Sequence, residues 1–202
     1  MRTSRTVQLT GAILGALCVL TACSPKTDSG DKPSAAPSPT SADVAANLKV
    51  SAPLPTGGLL SNPCAVIAPS QFDALNFAGA GTKREPANGS LAADCKWASK
   101  SNDGNIVFIS PLPVNKNGIS DIYSQKAQAA YFEPATIAGY PGVFTDVHDG
   151  RPSGNCSLWV GVTDQLAVSV NAQISSDDAK SNTCAIAQNV AEAMIKHLKG
   201  AA

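Results

Sequence analysis

Residues 156–172, CSLWVGVTDQLAVSVNA, hold two runs in which apolar side chains alternate along the chain. Side chains of an extended chain alternate between its two faces, so Leu166, Val168, Val170 and Ala172 share one face. Leu158, Val160 and Val162 stand across from them, which makes this the clearest hairpin in the sequence. Immediately downstream, Cys184, Ala187, Ala191, Met194, Ile195 and Leu198 recur at helical spacing. Asp177 and Asp178 suit the N-terminal end of such a helix, Lys196 and Lys199 its C-terminal end, and Gly200 its stop.

Upstream, residues 148–155 (HDGRPSGN) are nearly all turn formers. A short strand is expected at 143–147 and a turn at Gly139-Tyr140-Pro141-Gly142. Residues 119–132 place Ile119, Ile122, Tyr123, Ala127, Ala130 and Tyr131 on one helical face, and Pro134 marks the end of that helix. Strands are expected at 94–98 and 105–110, joined through the Asp103-Gly104 turn signal. A polar loop covers 79–92. Before it, 64–78 reads as a helical turn and then a short helix opened by Pro69. The sum is an α+β domain, an antiparallel sheet of about five strands with helices packed on it.

Six cysteines sort by position. Cys18 lies in an apolar run, 11–20 (GAILGALCVL), that follows Arg2 and Arg5 and has the form of an export signal. The run is shorter than the roughly 20 residues a membrane-spanning helix needs. It ends in Leu20-Thr21-Ala22-Cys23, similar to the bacterial lipobox. That similarity implies transfer of a diacylglyceryl group, with two acyl chains such as palmitate, to the Cys23 thiol and then cleavage before it. Two chains anchor stably where one does not. The expected organisation is a signal at 1–22, a lipidated cysteine and tether at 23–55, and one globular domain at 56–202. The tether is rich in Pro, Ser and Ala and poor in apolar residues. Residues 48–60 can alternatively lie along the domain, since Leu48, Val50, Leu54, Leu59 and Leu60 are apolar.

Cys64, Cys95, Cys156 and Cys184 remain, an even set that reads as two disulfides in an oxidising compartment. Of the three pairings, Cys64–Cys95 with Cys156–Cys184 closes short local loops and staples a helix to a hairpin in each case. No two of these cysteines have zinc-type spacing, so no metal and no cofactor is expected.

Composition narrows the partners. Removing Arg2 and Arg5 leaves a slightly acidic chain, with no electrostatic case for nucleic acid or anionic headgroups. The catalytic signatures G-x-S-x-G and H-E-x-x-H are absent from the sequence, and no catalytic residue is assigned. Asp146-Val147-His148-Asp149 is the one compact ionisable cluster and reads as a solvated connection. Trp97 and Trp159 are the candidate binding surface, because exposed Trp is enriched at interfaces. Their alternative is core packing beneath helices.

Several short motifs occur in a particular order: Pro63-Cys64 at a short helix, Cys95-x-Trp97, Gly139-Tyr140-Pro141, a Cys156 strand, and Cys184-x-x-Ala187 in a closing helix. With the lipobox and tether, this order resembles an actinobacterial lipoprotein family catalogued as domain of unknown function 3558. The resemblance spans about residues 55–199 and departs at Gly142, where the family pattern has alanine. It implies the outer face of the cytoplasmic membrane of a high-GC Gram-positive bacterium, and it implies no reaction. The functional expectation is a lipid-anchored binding or interaction module recognising an envelope protein, polymer or small ligand. Its alternatives are a carrier or sensor of a small apolar ligand and an envelope hydrolase.

Overall fold

The computed structural model describes residues 48–86 and 92–200. The export signal, Cys23 and the chain up to Asn47 lie outside the described residues. Seven strands form one antiparallel sheet in the order β1-β2-β3-β7-β6-β5-β4. They are β1 (Thr82–Arg84), β2 (Asp94–Ala98), β3 (Ile106–Leu112), β4 (Tyr131–Ile137), β5 (Tyr140–Asp146), β6 (Asn155–Thr163) and β7 (Leu166–Gln173). The helices are α1 (Gly57–Ser61), α2 (Pro69–Ala74), α3 (Ile119–Tyr123), α4 (Asp177–Lys180) and α5 (Thr183–Gly200). Two local meanders, β1–β3 and β4–β7, join where β3 pairs with β7.

The expectation of about five strands is corrected to seven, and the two extra strands have identifiable causes. β1 has three residues, all exposed, so it carries no apolar signal. It survives as an edge through a cross-strand pair, Arg84 bonding both carboxylate oxygens of Asp94 at 2.7 and 2.6 Å. β4 was hidden in the helical spacing of residues 119–132. The helix stops at Tyr123, one 3₁₀ turn follows, and the chain is extended from Tyr131. Pro134 therefore ends no helix. It sits within an edge strand, where a missing N–H costs no ladder bond on the open side. The turn also moves. Ala138 and Gly139 both have positive φ (48° and 92°) between the Ile137–Tyr140 pair, a two-residue hairpin turn of the primed type, and Tyr140–Gly142 belong to β5.

One face of the sheet carries Cys95, Trp97, Val107, Ile109, Val170, Leu158 and Val160, all buried. α5 covers it with Ala187, Val190, Ala191, Met194, Ile195 and Leu198, a stripe at helical spacing. α2 covers the far end through Phe72, stacked on Trp97 at 4.2 Å. Cys64 is bonded to Cys95, and Cys156 to Cys184. Each bridge ties a helical segment to a strand of this face. The chain lies along the sheet from Leu48, with Val50 and Leu54 buried and the Leu54 amide bonded to Val162 O at 3.0 Å. The packed body thus extends upstream of residue 56.

The opposite face is only partly covered. Ile119 and Ile122 of α3 pack on Val143 and Ala167, with Leu48, Phe132 and Trp159 at the margin. Gly161 lets α3 approach, because a Cβ there would stand 3.0 Å from Ile119 Cβ. Elsewhere this face is half-buried, as an antiparallel sheet allows.

Candidate functional site

The two tryptophans part company by strand parity. Trp97 lies two residues after Cys95 and shares its face, so it points under α2 with no exposure. It is core, and its proposed place on a binding surface is withdrawn. Trp159 lies three residues after Cys156 and faces the other way, toward α3. The sequence contained this distinction, since both cysteines must face the helices they bridge to.

Trp159 lines a groove of about 400 Å³ between the sheet and the segment from α3 to Ala129. Leu112, Ile122, Ala129, Val147 and the indole give it an apolar lining, with Asn115, Gln125, Thr145 and Asp146 between them. The indole Nε1 donates to Thr145 O at 3.2 Å, and the Thr145 hydroxyl donates to Tyr131 O at 2.8 Å, so the polar groups of the floor are internally satisfied. Val147 is 59% exposed at the wall. It is one of three large apolar side chains so exposed among the described residues; Val114, beside Asn115 in the chain, is another.

Next to the groove, a polar network runs across the strands. Ser157 Oγ donates to Asp146 Oδ2 at 2.7 Å and accepts from Asn171 Nδ2 at 2.9 Å, while the Ser157 amide donates to the Tyr131 phenol at 3.3 Å. Asn171 Oδ1 is buried with no partner among the described residues. Burial raises the ionisation of Tyr131 above its ordinary value, as it does for Tyr123. Arg151 lies 4.0 Å over the Tyr131 ring and is held by Asp149 and Glu133. Those bonds raise the guanidinium's affinity for its proton, and the Arg151 contact holds the Asp149 carboxyl below the usual range.

Asp146 and His148 share a shallower pocket of about 270 Å³ with Asn155 and Asn171. This brings a serine, a histidine and an aspartate close together, but not in series. A serine nucleophile needs a base that takes its proton and a third group that orients the base. Here the Ser157 proton goes directly to the carboxylate, and the serine is only 6% exposed. Among the described residues no hydrogen bond joins the His148 ring to either partner. Nor does any group of three His, Cys, Asp or Glu among them have the geometry to hold a metal ion, and no helix among the described residues is long and apolar enough to cross a membrane.

The groove itself was not foreseen. Residues 119–132 read as one helix, whereas the helix stops at Tyr123 and the chain is extended from Tyr131. The available signal was the pair of valines, 114 and 147, in polar surroundings.

No curated protein and no solved structure matches the chain. A family described as protein of unknown function (DUF3558) matches residues 18–197, nearly the whole sequence and a stretch that includes Cys23. The chain belongs to that family of unknown function, DUF3558.

Proposed function

We propose that this protein is a binding module of the bacterial cell envelope, held by lipid on Cys23 at the outer face of the membrane and recognising its ligand through the groove at Trp159. The groove carries the reading. It is an apolar recess with an aromatic floor and exposed valine at its wall, on a domain whose other face is fully covered. Such a recess is within the range of about 300–1,000 Å³ usual for ligand sites, and an exposed apolar patch on a secreted domain is most often a contact surface. The location rests on the sequence around Cys23. From there, the 24 residues between Cys23 and Leu48 can separate domain and anchor by no more than about 85 Å. The hydrolase alternative has less support, because the Ser157 hydroxyl is committed to Asp146.

Two measurements test this. Cys23→Ser should leave the precursor unlipidated and move it out of the detergent phase; unchanged partitioning refutes the anchor. Mature protein used as bait on a native envelope extract should retain a protein, polymer or lipid that Val147→Arg fails to retain. Recovery of nothing, or equal recovery by the variant, refutes the groove as the binding site.

A further inference from the structure

We infer that the ligand of the Trp159 groove is a neutral amphiphile, with a hydrocarbon portion on Trp159, Ile122 and Leu112 and an uncharged hydrogen-bonding head at Asn115 and Gln125. This deepens the reading of the groove as the binding site and rests on it. The lining decides the class. Its hydrocarbon side chains offer area to an apolar body and nothing to a phosphate or a carboxylate. Its only ionisable member among the described residues is Asp146. Both oxygens of that carboxylate are engaged, one by the Ser157 hydroxyl at 2.7 Å and the other by the His148 amide at 3.4 Å. An anionic head would therefore lie beside an uncompensated carboxylate, which is costly, and a cationic head would meet a carboxylate whose two oxygens are already bonded.

The polar capacity that remains is neutral. The Asn115 side chain has no protein partner among the described residues. Gln125 uses its Nε2 on Asp121 O at 3.1 Å and leaves its carbonyl oxygen available. One amide with both ends open and one open carbonyl suit hydroxyl or amide groups, which both donate and accept.

The test uses the oxidised mature chain from residue 24 without lipid, carrying Trp97→Phe so that Trp159 is the only fluorophore of its kind. The probe is 1-monodecanoylglycerol below its critical micelle concentration. Decanoate and decyltrimethylammonium serve as anionic and cationic counterparts of equal chain length. A saturable blue shift of Trp159 emission is expected with the glycerol ester, and binding at least roughly tenfold weaker for both ions. Val147→Asp should weaken the ester by a similar factor, and since Val147 is 59% exposed the substitution leaves folding intact. Calorimetric titration of the chain with both tryptophans gives the same comparison if Trp97→Phe fails to fold. No saturable signal, equal affinity for the three amphiphiles, or indifference to Val147→Asp overturns the inference. If monodecanoylglycerol fails while Val147→Arg still abolishes retention of an envelope component, only the ligand class falls. If both fail, the groove falls with it.

Discussion

Truncating Trp97 to alanine and to phenylalanine separates two contributions carried by one side chain. The indole is fully buried and stacked on Phe72, with centroids 4.2 Å apart and planes 20° from parallel. Alanine removes roughly 200 Å² of ring surface from the core. At about 25 cal/mol per Å² that is about 5 kcal/mol, an upper figure because an unfolded chain is already partly collapsed. Core truncations of this size cost about 3–5 kcal/mol, so about 4 kcal/mol is expected. Phenylalanine sets its ring where the pyrrole ring lies and keeps part of the stack, but deletes Nε1, which is buried without an acceptor among the described residues. The lost outer-ring contact costs about 1–2 kcal/mol. Removing an unpaired buried donor offsets this by about 1–3 kcal/mol. Trp97→Phe should therefore lie within about 1 kcal/mol of the parent. The same change at Trp159 breaks a bond that is made, to Thr145 O, and should cost about 1–2 kcal/mol despite the residue's partial exposure. Urea unfolding followed by far-ultraviolet circular dichroism, with equal m-values, gives all three numbers. A loss under about 2 kcal/mol for alanine, or over about 2.5 kcal/mol for phenylalanine at Trp97, refutes the reasoning.

Replacing Cys156 and Cys184 together by alanine reopens a separation of 28 residues, which loop-closure entropy values at about 3.5 kcal/mol. A shift in denaturant midpoint worth less than about 1 kcal/mol contradicts that account. The chain has three tyrosines, and burial raises the ionisation of Tyr123, Tyr131 and Tyr140 above the ordinary 10.0. The unfolded chain releases these protons first, so stability is intact below pH 10 and falls as pH climbs through the raised range. Near-ultraviolet absorbance should then show tyrosinate appearing late and together with unfolding, whereas ordinary titration of a still-folded chain contradicts the burial. Gly154→Ala should cost at least about 2 kcal/mol, because φ is +82° and the new Cβ would collide with Ile174 O. Gly139→Ala, at φ +92° in open space, should cost only about 1 kcal/mol by thermal melting.

The elements legible in the sequence were those whose side chains face one neighbour with one period. β6 and β7 alternate because one face meets α5, and α5 is striped because it meets that face. The bridging cysteines were legible for the same reason, being the points where helix and strand must touch. β4 was not, since the helical spacing of residues 119–132 runs into its first two residues, and its Pro134 looks like a helix stop until the strand is known to be an edge. Gly142, read as part of a turn, belongs to β5, where a Cβ would stand 3.0 Å from both Ile137 Cγ1 and Trp159 O. Of the two readings open for Trp97, binding surface or core packing, core packing holds, because its two-residue offset from Cys95 puts it on the covered face, while the three-residue offset of Trp159 from Cys156 turns it to the other. The groove depends on how Gln125–Ala129 turn away from the sheet, a tertiary outcome with no local periodicity.

The junction of the two meanders also sets an order of assembly. Each bridge closes within one half of the chain, 64 to 95 and 156 to 184, so each can form before the halves meet. The β3–β7 ladder instead joins 106–112 to 167–173 across the longest loop of the sheet, and long-range pairings form late. Until β7 arrives, β3 presents an unpaired edge whose Val107 and Ile109 belong to the core. A chain cut short before residue 166 would therefore hold two three-stranded pieces, β1–β3 and β4–β6, each with a sticky edge where β7 belongs, rather than a smaller working domain.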